Sequence, residues 1–330
     1  MRHLAANALT VVIVLLVIVS GAIVWGQAQF RAAGPLQEVA LVTVEPGDRL
    51  DEITEALLTA GAIENDVIFR IGARYRGDDR RLRFGEYEIP PAASMEEVLD
   101  IIVSGRSVQY FVTVPEGLTS WEIVQLLNEE PLLTGEIEEI PPEGVLAPDT
   151  YSVQRGESRQ ALLTRMEDAQ ASILARAWDE RVNDLPLDSI EEALILASII
   201  EKETSVPEER RQVASVFVNR LNRGMRLQTD PTVIYGITEG RGSLGRGLRR
   251  SELDRPTPYN TYVIRGLPPG PIANPGRASI EAALNPDETP FIFFVADGTG
   301  GHAFSVTYEE HQENVRAWRR IERERELNNQ

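Results

Sequence analysis

Cysteine is absent from all 330 residues. That excludes disulfide scaffolds, thiol nucleophiles and every cysteine-based metal site, without fixing the compartment. Histidine is nearly as scarce, with only His3, His302 and His311. His3 stands at the start and the other two near the end, so neither a histidine-rich metal site nor any other cofactor is expected. The HExxH and P-loop patterns are missing as well. Basic side chains are outnumbered, 33 against 51 acidic, for a formal charge of −18. A nucleic-acid partner would require a basic footprint, so none is expected. What the chain does have is length enough for one large domain or two ordinary ones, with ample sequence to bury a core.

It also has one long apolar run. No Asp, Glu, Lys or Arg stands between Arg2 and Arg31, and from Ala8 to Trp25 only Thr10, Ser20 and Gly21 interrupt the apolar side chains. As a helix this run is long enough to cross a hydrocarbon core of about 30 Å. Trp25 falls where an interfacial aromatic belt would be, and Arg2 favours a cytoplasmic amino terminus. The expected order is a cytoplasmic tail 1–6, a transmembrane helix 7–26 and a linker 27–40. The competing reading is a signal peptide cleaved near Gly26-Gln27-Ala28. Both readings export the residues from about Gln27 onward.

Within the exported part a short pattern occurs twice. Val42-Thr43-Val44-Glu45-Pro46-Gly47 leads into Ile53, Leu57 and Leu58, and Val112-Thr113-Val114-Pro115-Glu116-Gly117 leads into Ile123, Leu126 and Leu127. Each copy reads as strand, turn, helix, a supersecondary unit used twice. Between them, Phe84–Pro90 reads as a strand. Ser94 with Glu97 forms a capping box for a helix 95–103, and Gly105 stops it. Residues 41–130 are therefore expected to form a small α+β module, or two interleaved ones, acting either as a passive spacer or as a glycan-binding element. Residues 133–150, rich in Pro and Glu, connect it to a second domain, 131–330.

The least ordinary segment is 189–204. Ser189 and Glu192 form another capping-box pattern. From Ala193 to Ile200 the side chains are apolar or small all round, which predicts a helix buried in its domain. The last turn carries Glu201, Lys202 and Glu203. Glu203 shares a stripe with Leu196, Ile199 and Ile200, whereas Glu201 follows the smaller Ser198, Ala197 and Leu194. Apolar surroundings and the negative end of the helix dipole both push a carboxyl pKa upward. A carboxylic acid protonated near neutral pH is what glycosidic cleavage asks of its general acid. The competing reading is a solvated Glu-Lys-Glu helix end. Three later loops, 225–236, 256–262 and 266–272, are dense in hydroxyl, amide and aromatic groups of the kind that grip sugars. Pro, Asn, Asp and Gly also make turns without any such role.

At Ala197-Ser-Ile-Ile-Glu-Lys-Glu-Thr204 the chain resembles the membrane-bound endolytic murein transglycosylases of the MltG (YceG-like) family. Further matching motifs are Pro148–Tyr151, Val213–Leu221, Met225–Gly236, Thr257–Tyr262, Gly266–Ile272, Phe294–Gly298 and Gly301–Phe304. The resemblance covers nearly the whole chain and implies an α+β fold. Its parts are a single transmembrane helix, a LysM-like module over 41–130 and a YceG-like catalytic domain over 131–330. It implies cleavage of the MurNAc-GlcNAc bond within peptidoglycan strands to leave 1,6-anhydroMurNAc ends, limiting the elongation of nascent strands. The second glutamate of the Glu-Lys-Glu-Thr motif, Glu203, would be the catalytic residue. It would protonate the leaving oxygen and then accept the proton of the C6 hydroxyl. The implied location is the bacterial inner membrane with the domains on the periplasmic side, and the implied partners are glycan strands and peptidoglycan synthases. Asn219, Gln228, Thr229, Asp230, Tyr259, Asn260 and Thr261 are assigned to the glycan cleft. Tyr235 and Tyr262 are possible core residues, and His302 is read as structural or cleft-lining. Arg241, Arg246, Arg249 and Arg250 are read as a basic loop, a solvated run in preference to a contact for stem-peptide carboxylates. Leu146-Ala147 departs from the bulky or aromatic residues usual before Pro148, which would loosen the cleft if that position lines it. A hydrolytic muramidase and a non-catalytic wall-binding scaffold are the alternatives.

Overall fold

The computed structural model describes residues 2–328. In chain order its elements are α1 (Arg2–Arg31), β1 (Ala40–Val44), α2 (Leu50–Thr59), α3 (Asp66–Arg76), β2 (Gly85–Ile89), α4 (Met95–Ser104), β3 (Tyr110–Thr113), α5 (Ser120–Glu129), β4 (Leu133–Thr134), β5 (Thr150–Val153), β6 (Glu157–Ser158), α6 (Arg159–Asp179), α7 (Ile190–Glu203), a 3-10 turn (Pro207–Glu209), α8 (Arg210–Asn222), α9 (Asp230–Thr238), α10 (Arg250–Leu253), α11 (Arg277–Leu284), β7 (Phe293–Ala296), β8 (His302–Ser305) and α12 (Tyr308–Asn328). The fold is mixed α+β. All four sheets among the described residues are two-stranded, pairing β1 with β2, β3 with β5, β4 with β6 and β7 with β8.

The chain divides into two compact units. The first holds residues 1–111 with two short returns at 132–134 and 152–158. Its β1 and β2 pair antiparallel, Val42 opposite Tyr87. Val42, Val44, Leu57, Phe69, Tyr87, Leu99 and Ile102 fill its core. The helix ends follow local chemistry. Ser94 accepts from the Glu97 amide while Glu97 reaches back to the Ser94 amide, and Gly105 closes α4 at φ 70°. Asn65 caps α3, which Gly77 closes at φ 72°. Helix α1 does not stop at residue 26. It runs on to Arg31, and Phe30 is buried in the unit's core, so residues 27–31 of the expected linker are helical. The expected tail 1–6 is helical from Arg2, and Met1 lies outside the described residues. The segment Leu9–Arg31 is long and apolar enough to cross a membrane.

The second unit holds residues 112–131, 135–151 and 159–330. Both copies of the strand-turn-helix pattern form as expected, with Gly47 at φ 97° and Gly117 at φ 77° in the turns. They do not share a module. The expected 41–130 block is cut between Phe111 and Val112, because the second copy is bound into the second unit. The Gly117 amide donates to the Asn274 carbonyl at 3.0 Å, and the Asn274 amide donates to the Leu118 carbonyl at 2.8 Å. Thr119 Oγ1 donates to the Gly240 carbonyl at 2.6 Å, and the Ser120 amide to Glu143 Oε2 at 3.0 Å. At the centre of this unit lies α7. All eight residues Ala193–Ile200 are buried, against α6, α8 and α11. Each of its larger side chains contributes on the order of 1.5–3 kcal/mol by leaving water. That burial fixes the position of the helix end that follows.

Candidate active site

The last turn of α7 presents its two glutamates to different surroundings. Glu201 is tied down. Its side chain is 6% exposed, it accepts from the Gly276 amide at 2.9 Å, and Arg210 lies 3.9 Å away. Arg210 also reaches Glu116 at 3.3 Å. Lys202 donates to the Gly117 carbonyl at 3.0 Å. These three groups clamp the helix end to the turn before α5. Glu203 is half-buried and has no ion pair among the described residues. Its Oε1 accepts a hydrogen bond from the Thr229 hydroxyl.

Burial pushes the Glu203 carboxyl up to about 6, against an ordinary 4.5. The Thr229 hydrogen bond opposes this by favouring the anion, and the charge of Asp230 adds to it. His302 and Arg220 are near enough to pull the value back down. Glu203 is therefore a carboxyl poised between acid and base close to neutral pH, which suits proton transfer in either direction.

The segment that supplies Thr229 is shaped for that contact. Gln228 adopts a left-handed backbone at φ 52°, an uncommon conformation for a residue with a side chain. Thr229 is extended and stands at the N-cap position of α9 without a side-chain cap bond, and Pro231 occupies the first turn without loss of a needed amide. Thr261 holds this loop in place. It is fully buried, its Oγ1 accepts from the Thr229 amide at 3.0 Å, and it lies 2.9 Å from Thr232 Oγ1. Tyr262 donates to Asp230 Oδ1 at 2.7 Å. A cleft of about 380 Å³ opens here, lined among others by Arg226, Gln228, Arg250 and Tyr262.

The residues assigned to the cleft thus separate into two groups. Thr229 touches Glu203, Asp230 lies beside it, Thr261 props Thr229, and Gln228 lines the adjoining cleft. The other three serve elsewhere. Asn219 spends its amide on the carbonyls of Thr289 and Phe291, at 2.7 and 2.9 Å. Asn260 is fully buried, its amide shared among the carbonyls of Glu252, Leu253 and Arg255, so it shapes its loop. Tyr259 packs on Tyr235, ring centroids 4.9 Å apart. Leu146 and Ala147 are core residues, 0% and 1% exposed, so their departure from the usual pattern loosens no cleft. In the basic loop, Arg246 grips Glu252 through two hydrogen bonds at 2.9 and 2.6 Å.

Two features escape a reading of the sequence. Glu209, in the 3-10 turn six residues past Glu203, accepts from the His302 amide at 2.9 Å and lies 2.7 Å from His302 Nδ1. A Cβ on Gly301 would collide with the Glu209 carboxylate, so glycine permits the approach. Arg220 donates to the carbonyls of Ile292 and Leu227, at 2.7 and 2.6 Å. Together Asn219, Arg220 and Glu209 bind the β7–β8 hairpin to the region of Glu203. The only sequence signal was a charged residue, Arg220, closing an otherwise apolar helix face. Farther off, Glu143 is pushed up to about 7 by burial, although the Ser120 amide donates to it. No cluster of three His, Asp or Glu side chains suited to a metal ion occurs among the described residues.

Comparison with known proteins bears on the family. The sequence model described as the YceG-like family matches residues 42–317. A Bacillus subtilis (strain 168) protein named endolytic murein transglycosylase is 27% identical over 329 residues, 89% of either chain. A protein of the same name from Streptococcus pneumoniae serotype 2 (strain D39 / NCTC 7466) is 28% identical over 322 residues. That alignment takes in 83% of this chain and 57% of the pneumococcal one. The crystal structure of a yceG-like protein from Listeria monocytogenes superposes with a TM-score of 0.50 at 31% identity, covering 84% of this chain and 99% of that one.

Proposed function

The chain belongs to the YceG-like family, and on that premise we propose that it is a lytic transglycosylase of peptidoglycan. It cleaves the MurNAc-GlcNAc bond inside glycan strands. The observation that carries this reading is Glu203, a carboxyl held by burial at about 6 and facing a hydroxyl rather than a cation. The names borne by the Bacillus and pneumococcal relatives support it.

The reaction needs one group that first gives a proton and then takes one. Protonated Glu203 donates to the glycosidic oxygen as the C1–O bond breaks, and an oxocarbenium-like sugar remains. Glu203, now a carboxylate, accepts the proton of the muramoyl C6 hydroxyl while that oxygen bonds to C1. The product is a 1,6-anhydro ring, no water is consumed, and Glu203 ends protonated. A free carboxyl near 6 is about one-tenth protonated at pH 7. Sugar covering it removes more water and raises the protonated share. Thr229 fixes the carboxyl's orientation throughout. Asp230 favours a second reading, a hydrolytic muramidase, because it supplies another carboxylate next to Glu203.

The proposal extends to location and role. Helix α1 anchors the chain in the cytoplasmic membrane, the two units lie on the periplasmic side, and cleavage there limits the growth of nascent strands beside the synthases. The LysM-like reading of the first region is supported by its small α+β architecture and by the family resemblance. Mass spectrometry of peptidoglycan digested by wild type and Glu203→Gln tests the chemistry. Anhydro ends from the wild type alone are expected. Reducing ends would make it a muramidase, and no cleavage by either protein would leave a wall-binding scaffold.

A further inference from the structure

Helix α3 has two apolar faces. Phe69 and Ala73 fill the core of the first unit. On another face Val67, Ile71 and Tyr75 stand 53%, 62% and 82% exposed. Their spacing of four puts them in one row along the helix. A surface helix in water carries polar side chains there, and a contiguous apolar row of this kind marks a contact surface.

Helix α1 passes beside that row. Phe30 packs so closely on Gly72 that any Cβ at position 72 would strike its ring. A groove of about 550 Å³ lies between the two helices, lined by Val19, Ile23 and Trp25 from α1 and by Val67, Ile71 and Tyr75 from α3. Val19 and Ile23 belong to the apolar segment Leu9–Arg31. Its 23 residues reach about 34 Å as a helix, slightly more than a hydrocarbon core. The medium that surrounds α1 at Val19 therefore also reaches the row on α3.

We propose that α3 is a membrane-surface helix, with Val67, Ile71 and Tyr75 set into the boundary between phospholipid headgroups and acyl chains, and acyl chains filling the groove beside α1. This rests on reading α1 as membrane-spanning. The occupant is lipid because the groove is continuous with the lipid-facing side of α1. Charge is secondary here, since most arginines near the groove are paired and Arg74 is the exposed cation of α3 without an ion pair among the described residues. Arg31 is paired with Glu96, Arg70 with Asp51 and Asp66, and Arg76 with Asp78 and Asp100. Attachment is by apolar area, and the first unit is held against the bilayer rather than swinging on a tether.

The cysteine-free sequence allows one label per chain. Full-length Ile71→Cys, Tyr75→Cys, Glu55→Cys and Leu16→Cys proteins, each carrying a fluorophore, are reconstituted into phosphatidylcholine vesicles with shallow or deep spin-labelled lipid. Glu55 is exposed on α2, away from the row, and serves as the control. Positions 71 and 75 are expected to lose at least half their fluorescence to shallow quencher, position 55 to lose none, and position 16 to respond to deep quencher. The pattern should hold without phosphatidylglycerol, because apolar area carries the attachment. If position 16 is quenched while 71 and 75 behave like 55, α3 lies off the membrane and the proposal fails with the anchor intact. If 71 and 75 are shielded from water yet unquenched, a protein covers the row and the proposal is wrong. If position 16 escapes deep quencher, the membrane-spanning reading fails and the proposal with it.

Discussion

Two sides of one helical turn carry the same side chain and use it differently. Around Glu201, the Gly276 amide, Arg210, Glu116 and the Lys202 contact to Gly117 form a closed polar clamp. Around Glu203, a hydroxyl, a neighbouring carboxylate and two more distant cations leave the group partly unsatisfied and partly reachable. The clamped side locks the helix end. The open side raises the cost of ionisation and so keeps a proton available. One carboxylate of this turn is an anchor and the other is left able to exchange a proton, two residues apart.

The largest expected difference is in rate. Glu203→Gln should lower kcat on glycan strands by about 10²–10⁴-fold, the range for loss of a general acid-base. Glu201→Gln should stay within about tenfold of wild type once folded, and an equal loss from both would erase the distinction. Next is stability. Glu201→Ala strips a buried hydrogen bond and a charge partner, and should cost about 1–3 kcal/mol in denaturant unfolding. Glu203→Gln should act the other way, in a pH-dependent manner. The folded value of about 6 lies above the unfolded 4.5, so the folded state binds this proton more tightly. That stabilisation is complete below about 4.5 and is lost as pH rises through 6. At pH 8 the glutamine variant should therefore gain up to about 2 kcal/mol relative to wild type, and at pH 4 the gain should vanish. The smallest effect belongs to Thr229→Val. Removing the hydroxyl that favours the anion should move the Glu203 titration upward by less than about one unit and slow turnover several-fold. A Thr229→Ser protein should restore both.

How much of this could be read from the chain depended on range. The capping box at Ser94, the stop at Gly105 and the buried run Ala193–Ile200 are local, and each formed as its sequence pattern indicates; Ser189 caps α7, but Glu192 takes the Asp188 amide instead of closing the expected box. The same local spacing set Glu203 apart from Glu201, a choice that the variants above test. What failed to show were contacts between distant segments. Nothing local joins Glu209 to His302, 93 positions on. Asn260 is typed as a loop amide and turns out fully buried against three carbonyls. The repeated strand-turn-helix pattern suggested one module or two interleaved ones, and the contacts that bind the second copy, to Asn274, Gly240 and Glu143, are ones no repeat could announce. Helix α1 was expected to end at residue 26; Phe30, buried in the first unit, accompanies its continuation to Arg31.

The claim on which the rest turns is that Glu203 works in both protonation states, and the pH dependence of kcat/KM on uniform glycan strands tests it most directly. The wild type should lose activity above a limb near pH 6, with the limb displaced upward in Thr229→Val and absent from the residual rate of Glu203→Gln. A wild-type profile level from pH 5 to 8, or a limb that persists unchanged without Glu203, would contradict it.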